Sequence, residues 1–189
     1  MSNTAVAYHD DLITTEIING QEVAMSPRPA LEHSHVILNL ARVFSIYLRG
    51  KRCKAFVEPE LILDEKNHFA PDLAIVCDKS KMKANGIYGA PDLVVEVLSP
   101  ATMTRDKGIK KATYEAAGVR EYWIVSPLEK SIEVYHLKEG RFQLDGVYCV
   151  FPEWEWERMS EDERAAARLS VKVSLYDDLL VDVREVFEE

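Results

Sequence analysis

The stretch PDLVVEVLSP, residues Pro91–Pro100, is the part of the chain from which the fold prediction starts. A β-branched run that ends at Ser-Pro is typical of a buried strand. Because successive side chains of a strand point to opposite faces, Glu96 shares one face with Val94, whereas Val95 and Val97 lie on the other. A buried carboxylate without a partner is costly. The pattern therefore predicts a cation, a hydrogen-bond network or a metal ion beside Glu96, and the alternative is a strand glutamate that faces water.

Composition places the chain among ordinary globular proteins. Its 189 residues are 47% hydrophobic and 29% charged, which is enough for one domain with a sizeable core. No apolar run reaches the roughly 18 residues of a membrane span, and residues 1–12 lack the features of a secretion signal. The three cysteines are few and widely spaced, which favours reduced thiols over a disulfide or a zinc site. We therefore expect a cytoplasmic protein that does not enter the membrane.

The charge is unevenly distributed along the chain. The net charge of −9 argues against a surface that binds nucleic acid everywhere. Residues 151–189 hold 12 acids and 5 bases, which is −7, and this leaves −2 for residues 1–150. The bases of the first part cluster at residues 49–54, 79–83 and 105–111. These clusters predict local basic patches, and the alternative is that each belongs to a solvated loop or helix face.

Turn and periodicity signals give the order of the elements on either side of the Glu96 strand. Before it, the signals predict a hairpin at Asn19-Gly20, a helix over residues 30–49, strands near 54–63 and 70–77, and a basic loop over 79–90. After it, they predict a helix over 103–117 that ends at Gly118, a strand over 119–127, a hairpin at Glu139-Gly140, an acidic helical segment over 153–169, and a strand with a short helix over 171–187.

These elements predict a single α/β domain over residues 1–189, with a mixed central sheet flanked by helices. Its parts are an N-terminal β-hairpin over residues 1–28, a core over 29–137, and a C-terminal α/β extension over 138–189 that contains the acidic segment. The chain has no Gly-x-Ser-x-Gly elbow, P-loop or Cys/His array. Its motifs therefore argue against acyl transfer and nucleotide binding.

Two acids are candidate partners of Glu96. Asp92 lies four residues away on the same strand, which is roughly 13 Å and too far for the two to hold one cation. Asp92 is better interpreted as a turn or strand-start residue. Asp72 begins the preceding predicted strand, and pairing of the two strands would bring it within a few ångströms of Glu96. Two carboxylates that converge in a partly apolar site suit Mg²⁺, which prefers oxygen ligands.

The second predicted helix carries a cation that could reach this site. Asp106, Lys110 and Tyr114 follow one another at four-residue intervals and form one stripe. In one interpretation, the Asp106–Lys110 pair only stabilises the helix. In the other, Lys110 turns toward Asp72 and Glu96, where its ammonium could orient an attacking water or stabilise a pentavalent phosphate.

The order PD … EVLSP … D-x-x-x-K-x-x-x-Y-x-x-x-G-V-x-E-Y-W-I-V-x-P resembles the Uma family of restriction endonucleases, within the PD-(D/E)XK nuclease superfamily. The resemblance covers residues 16–137 and is most specific over residues 91–127. It implies a restriction endonuclease-like core and metal-dependent hydrolysis of phosphodiester bonds in DNA, with Mg²⁺ as cofactor and Mn²⁺ as a substitute. It further implies Asp72 and Glu96 as catalytic metal ligands, the backbone carbonyl of Val97 as a third ligand, and Lys110 as the catalytic lysine.

The chain departs from the superfamily pattern at two positions. Leu98 stands where the superfamily has its lysine, and Lys110 matches relatives whose lysine has moved to the following helix; Lys107 and Lys111 are neighbours that could be mistaken for it. Ser126 stands where an acid is usual in the WIVSP segment. The second departure weakens any role for that position and leaves the metal ligands unaffected.

The resemblance also implies accessory residues at the start of the first helix. Glu32 and His33 match a Glu-His pair of the family, and with Asp106 and Tyr114 they complete the candidate site. The alternative is a surface or capping histidine at a helix start. His33 and His35 cannot share one helical face, which argues against a His-x-His metal site.

Three functions remain open on the sequence. The first is a nuclease that acts on DNA, expected to be a homodimer because two sites cut both strands most simply. The second is a nuclease-fold protein used for binding or assembly, with a weak or inactive site. The third is a structural domain in which Glu96 and Lys110 form only a buried ion pair.

Overall fold

The computed structural model describes residues 15–25 and 30–188. The strands are β1 (Thr15–Ile18), β2 (Gln21–Ala24), β3 (Lys54–Val57), β4 (Leu61–Asp64), β5 (Asn67–Phe69), β6 (Leu73–Val76), β7 (Met82–Lys83), β8 (Gly86–Tyr88), β9 (Leu93–Val97), β10 (Glu121–Ser126), β11 (Ser131–Lys138), β12 (Arg141–Cys149), β13 (Ser170–Lys172) and β14 (Leu180–Asp182). The helices are α1 (Leu31–Tyr47), a 3₁₀ turn (Lys79–Lys81), α2 (Met103–Arg105), a π-helical turn (Asp106–Lys110), α3 (Lys111–Ala117), α4 (Glu153–Trp156), α5 (Glu161–Ala166) and α6 (Val183–Val186).

The central sheet has six strands in the order β12-β11-β10-β9-β6-β3. Strands β9 and β10 run parallel, and the other neighbours in this sheet are antiparallel. The sheet is therefore mixed, as predicted. A second six-stranded sheet, in the order β2-β1-β5-β4-β8-β7, contains the N-terminal hairpin.

Both faces of the central sheet are covered. One face packs against α1, α6 and the β13–β14 hairpin, and the rings of Phe44 and Trp123 meet there with centroids 5.7 Å apart. The other face packs against α3 and the second sheet, where Phe69 and Tyr114 make an edge-to-face contact at 5.3 Å. Strand β9 pairs with β10 and β6 along its two edges, and the two packed layers cover its two faces, which explains its apolar residues on both sides.

The alternation predicted for β9 is confirmed. Val94 packs toward α3 and the second sheet, whereas Val95 and Val97 pack on the face that α1 covers. Glu96 is only 3% exposed. The alternative of a glutamate that faces water is therefore wrong, because β9 is an interior strand covered on both sides.

The predicted hairpin turns and helices are also present. Asn19 and Gly20 have φ values of 52° and 79°, and Glu139 and Gly140 have values of 53° and 76°. Positive φ at both central residues is the geometry of a tight two-residue hairpin. Helix α1 and the helical run from α2 to α3 lie within the predicted ranges, and the second run ends at Gly118 in the left-handed conformation.

The strand predicted over residues 54–63 is instead two strands in different sheets. Strand β3 ends at Val57 and pairs with β6 in the central sheet, whereas β4 pairs with β5 and β8 in the second sheet. Between them, Glu58 adopts a left-handed conformation with φ of 45° and is followed by Pro59. The chain turns at these residues, where Glu58-Pro59-Glu60 interrupts the apolar residues of the two strands.

The prediction that all cysteines are reduced thiols is wrong for two of them. Cys53 and Cys77 form a disulfide, and Cys149 is free. The register of β3 with β6 pairs Lys54 with Val76. Cys53 and Cys77 are therefore the next pair along the same ladder, and their Cα atoms are 3.8 Å apart.

Three further expectations concern boundaries. The loop predicted over residues 79–90 contains the short β7–β8 hairpin, and the acidic segment forms two short helices, α4 and α5. The division of the domain at residues 28 and 137 stays a prediction, and residues 1–14 and 26–28 of its first part lie outside the described residues. Within the part of the chain that the structure describes, no helix is long and apolar enough to span a membrane.

Candidate active site

The pairing of β6 with β9 brings two of the predicted acids to one site. Leu73 pairs with Val95 in an antiparallel register, so Asp72 follows opposite Glu96. Oδ2 of Asp72 accepts a hydrogen bond from the backbone N–H of Val97 at 2.6 Å. Asp72, Glu96 and Val97 line a common cavity of about 60 Å³. The expectation that the two strands are neighbours is confirmed.

Lys110 reaches the same cavity from the helix. Its Nζ lies 2.8 Å from Oε1 of Glu96, and the hydroxyl of Tyr114 donates to the same oxygen at 2.8 Å. The π-helical turn ends at Lys110 and widens the helix at this point, a feature that often marks functional sites. Asp106, Lys110 and Tyr114 are all buried beneath it. The predicted stripe thus faces the sheet.

Three carboxylates surround the Lys110 ammonium. Besides Glu96, Oε1 of Glu16 lies 2.9 Å away and Oδ1 of Asp106 lies 3.7 Å away. Glu16 belongs to β1 and also accepts a hydrogen bond from the backbone N–H of Ala70 at 3.2 Å. Glu16 was not among the site residues predicted from the sequence. The available signal was strand alternation, which puts Glu16 on the same inward face as Ile18.

Arg105 is a second cation that the sequence analysis missed. Its Nη1 lies 3.6 Å from Oε2 of Glu16, and its side chain is 17% exposed. The sequence predicts for Arg105 only a place in the basic cluster of residues 105–111, on a patch or a solvated helix face. Its position at the end of α2, directly before the π-helical turn, directs it into the cavity instead.

The two accessory residues of α1 are separated by the structure. His33 is buried and lines the cavity, with Nε2 3.6 Å from Oδ1 of Asp72. Burial alone would lower the pKa of His33, but the neighbouring Asp72 carboxylate and the Val97 backbone outweigh it and raise that pKa. Glu32 is exposed and lines a different groove beside Leu31. The structure therefore brings His33 to the other site residues and leaves Glu32 apart from them.

Burial and neighbouring charges shift the pKa values of Glu96 and Lys110. Burial raises the pKa of Glu96 to about 8, with Asp106 and Asp72 acting in the same direction and Lys110 opposing them. Burial would lower the pKa of Lys110, but Glu96, Glu16 and Asp106 outweigh it and raise that pKa. Lys110 therefore stays protonated at neutral pH, and a further cation beside Glu96 would favour its ionised form.

The charges of the cavity fit a divalent cation. Four carboxylates face two permanent cations, which leaves an excess of two negative charges when all are ionised. The carboxylates are Glu16, Asp72, Glu96 and Asp106, and the cations are Arg105 and Lys110. Among residues 15–25 and 30–188, no group of three or more His, Cys, Asp or Glu side chains is arranged to hold a metal ion. Mg²⁺ needs only one or two protein carboxylates, because it keeps several waters and takes up substrate phosphates. Two carboxylates and a backbone carbonyl are compatible with that requirement.

A family model described as "Uma2: Putative restriction endonuclease" matches residues 6–164 of the chain. The chain belongs to the Uma2 family. The activity class in the family description is that of a nuclease, in agreement with the resemblance found in the sequence. A curated relative, "Uncharacterized protein slr1290" from Synechocystis sp., is 32% identical over 125 residues, which span 64% of this chain. They span 65% of that relative, slightly less than two thirds of its length.

A solved structure gives the corresponding comparison for the fold of this Uma2 chain. It is the crystal structure of "a putative nuclease belonging to DUF820" from Anabaena variabilis ATCC 29413, with a TM-score of 0.69 and 19% sequence identity. The match covers 93% of this chain and 90% of the Anabaena chain. The predicted mixed α/β fold is thereby confirmed, since the likeness extends over nearly the whole of both chains.

Proposed function

We propose that this protein is a Mg²⁺-dependent endonuclease that hydrolyses phosphodiester bonds in DNA, with Mn²⁺ as a substitute metal. The observation that carries the proposal is the 2.8 Å contact between Lys110 and Glu96, in a cavity that Asp72 also lines. Two carboxylates at the end of the paired strands β6 and β9, with a lysine from the neighbouring helix, are groups suited to the metal binding and charge stabilisation of phosphodiester hydrolysis. The family of the chain supports the same class of activity.

In this proposal, Asp72, Glu96 and the carbonyl of Val97 would hold Mg²⁺, which when bound polarises a phosphoryl group and stabilises its developing charge. Lys110 stays protonated between three carboxylates. It therefore donates hydrogen bonds, to an attacking water or to a phosphoryl oxygen, and does not act as a general base. Tyr114 supports it by donating to the same carboxylate oxygen of Glu96.

His33 and Asp106 serve as orienting residues in the proposed mechanism. His33 lies beside Oδ1 of Asp72, while the Val97 N–H binds Oδ2, so both oxygens of that carboxylate have a neighbour that limits its rotation. Asp106 lies 3.7 Å from the Lys110 ammonium, one turn earlier on the helix. Each residue thus restrains a group that would touch the metal or the substrate.

A binding or assembly protein with an inactive site is the second candidate, and the surface charges favour it. Lys107 pairs with Glu133 at 2.7 Å, Arg120 with Asp92 at 2.6 Å, and Arg141 with Glu115 at 2.8 Å; these pairs use bases that could otherwise contact DNA. Because the net charge is also −9, unspecific attraction to DNA is weak. The two candidates differ in whether the cavity supports turnover.

Nicking of supercoiled plasmid DNA with Mg²⁺ or Mn²⁺ tests the proposal. We expect the wild type to nick the plasmid, and Glu96→Ala and Lys110→Ala to lose at least about a hundredfold in rate. Lys107→Ala is the matched control, because Lys107 lies on the same helical run but pairs with Glu133 outside the cavity. A wild type that does not cut, or Glu96 and Lys110 variants that cut as fast as the wild type, would refute the nuclease.

Assembly and location are further parts of the proposal. A homodimer would place two sites on the two strands of a duplex, and sedimentation at several protein concentrations measures it. A cytoplasmic location is measured by cell fractionation followed by immunodetection, and recovery of the protein outside the cytoplasmic fraction would argue for another location.

A further inference from the structure

Arg105 is the cation of the cavity to which the proposed function gives no role. Its side chain is largely buried, yet within the described residues its Nη1 has no hydrogen-bond partner. Its neighbour, Oε2 of Glu16, is 3.6 Å away and beyond hydrogen-bond distance. A buried guanidinium with an unmet donor is an incomplete arrangement, because buried polar groups are normally hydrogen-bonded.

Lys110, the other cation of the cavity, differs from Arg105 in its contacts. Its ammonium lies within 2.9 Å of oxygens from both Glu16 and Glu96. Two of the three N–H donors of Lys110 are thus taken by carboxylates, whereas Nη1 of Arg105 has no hydrogen-bond partner among the described residues. Arg105 can therefore turn Nη1 toward an incoming anion without giving up a short contact.

We propose that Arg105 binds a phosphoryl oxygen of the DNA substrate, and that Glu16 keeps its guanidinium at the cavity in the absence of DNA. This inference rests on the proposed function and names a substrate-contacting residue for it. A guanidinium presents several N–H donors in a planar fork that matches phosphate geometry. The ion pair with Glu16 at 3.6 Å holds the side chain at the cavity and leaves Nη1 without a hydrogen bond, and a small rotation of the guanidinium would turn Nη1 toward a phosphate.

Electrostatics supports the need for such a residue. The cavity carries four carboxylates, so an approaching phosphodiester meets an unfavourable charge before it can bind. One divalent cation balances the excess of two charges but provides no surplus. Arg105 is already counted in that balance, and without it the excess would be three negative charges. Its guanidinium therefore reduces the repulsion that an approaching phosphodiester meets.

Binding of a labelled DNA duplex tests the inference with a measure that is independent of turnover. The duplex is titrated by fluorescence anisotropy in Ca²⁺, which occupies carboxylate sites in a looser geometry than Mg²⁺, over a series of KCl concentrations. Loss of one phosphate contact lowers the slope of log K against log salt by about 0.9. We expect Arg105→Gln to show this change together with about a tenfold to hundredfold loss of affinity.

Two further variants distinguish loss of the phosphate contact from loss of the folded structure. Arg105→Lys keeps the positive charge but loses the planar guanidinium fork. We therefore expect the wild-type slope of log K against log salt with about a tenfold weaker affinity. If Arg105→Gln does not fold, Arg105→Lys provides the test. Lys107→Gln is the matched control and should retain the wild-type affinity and slope, because Lys107 pairs with Glu133 outside the cavity.

The outcomes distinguish this inference from the proposed function. If the wild type nicks plasmid DNA but Arg105→Gln and Arg105→Lys keep the wild-type affinity, slope and kcat/KM, Arg105 has no contact with phosphate and the inference alone is overturned. If the wild type neither cuts nor binds DNA, the proposed function fails, and the inference fails with it. A lower slope in Arg105→Gln with a retained slope in Arg105→Lys supports the contact.

Discussion

The ammonium of Lys110 and the hydroxyl of Tyr114 both lie 2.8 Å from the same atom, Oε1 of Glu96. Two residues one helical turn apart thus fix one carboxylate oxygen of a neighbouring strand. The arrangement serves a metal site, because a fixed carboxylate presents its other oxygen in a defined direction. It would equally serve a purely structural ion pair. Stability measurements on the metal-free protein separate these two roles.

Replacing Lys110 with Met should destabilise the metal-free protein by about 3–5 kcal/mol, because it leaves three buried carboxylates without their common cation. Mg²⁺ should restore more stability to this variant than it adds to the wild type, because the excess negative charge attracts the ion. Urea unfolding with and without Mg²⁺ measures both effects.

Lys107→Met is the control for that experiment. Lys107 carries the same charge, but its ion pair with Glu133 is partly exposed, so its loss should cost no more than about 1 kcal/mol. Equal destabilisation by the two variants would show that the carboxylate cluster does not depend on Lys110. An absence of any Mg²⁺ effect in Lys110→Met would argue against a metal site.

Glu96→Gln should change stability in a pH-dependent way when metal is absent. Burial raises the pKa of Glu96 from 4.5 to about 8, so the folded state binds this proton more tightly than the unfolded state. The resulting stability is present below pH 4.5 and is lost as the pH rises through 8. Because Gln does not titrate, the free energy of unfolding of the variant should rise relative to that of the wild type between these two pH values, by up to about 1.4 kcal/mol per pH unit.

Urea unfolding of both proteins in EDTA, below and above this window, measures the difference. Glu121→Gln is the matched control, because Glu121 is also buried in a strand but accepts hydrogen bonds from Nε1 of Trp123 and the backbone N–H of Ser174. We expect that variant to be less stable than the wild type at neutral pH. If Glu96→Gln loses stability at every pH, Glu96 is a partner in a structural ion pair and the metal site is refuted.

Strand periodicity predicted which face Glu96 shares with Val94, and the covering of β9 on both sides then decided between burial and exposure. The pairing of β6 with β9 was a condition of the predicted site, because residues 77–92 lie between the two strands and include the β7–β8 hairpin. Helical spacing likewise placed Lys110 and Tyr114, since the π-helical turn keeps them on the buried side. Local rules therefore predicted the part of the site that lies on this strand and this helix.

The rest of the site depends on contacts between distant parts of the chain. Glu16 reaches Lys110 only because β1 pairs with β5 and brings the hairpin over the helix, a sheet order that no local pattern encodes. Arg105 looked like a surface base because it stands in a run of charged residues. Cys53 and Cys77 are 24 residues apart, and only the register of β3 with β6 makes them neighbours.

Tyr114→Phe should weaken the site without unfolding the protein. The change removes the hydroxyl that donates to Oε1 of Glu96, and the loss of one such hydrogen bond costs about 0.5–1.5 kcal/mol of stability. Because Lys110 still holds the same oxygen, we expect Mg²⁺-dependent nicking to fall by less than about tenfold, with more Mg²⁺ needed for half-maximal rate.

Tyr122→Phe is a closely matched control. Its hydroxyl is equally buried and donates at 3.0 Å, but to the backbone carbonyl of Asp106 instead of to Glu96. The two variants should lose similar stability in urea unfolding, whereas the Mg²⁺ requirement should change in Tyr114→Phe alone. An equal change in both would indicate that the helix as a whole has shifted. If the Mg²⁺ requirement of Tyr114→Phe equals that of the wild type, the Tyr114 hydroxyl does not orient the Glu96 carboxylate for the metal. A hydroxyl with that role must affect metal binding as well as folding.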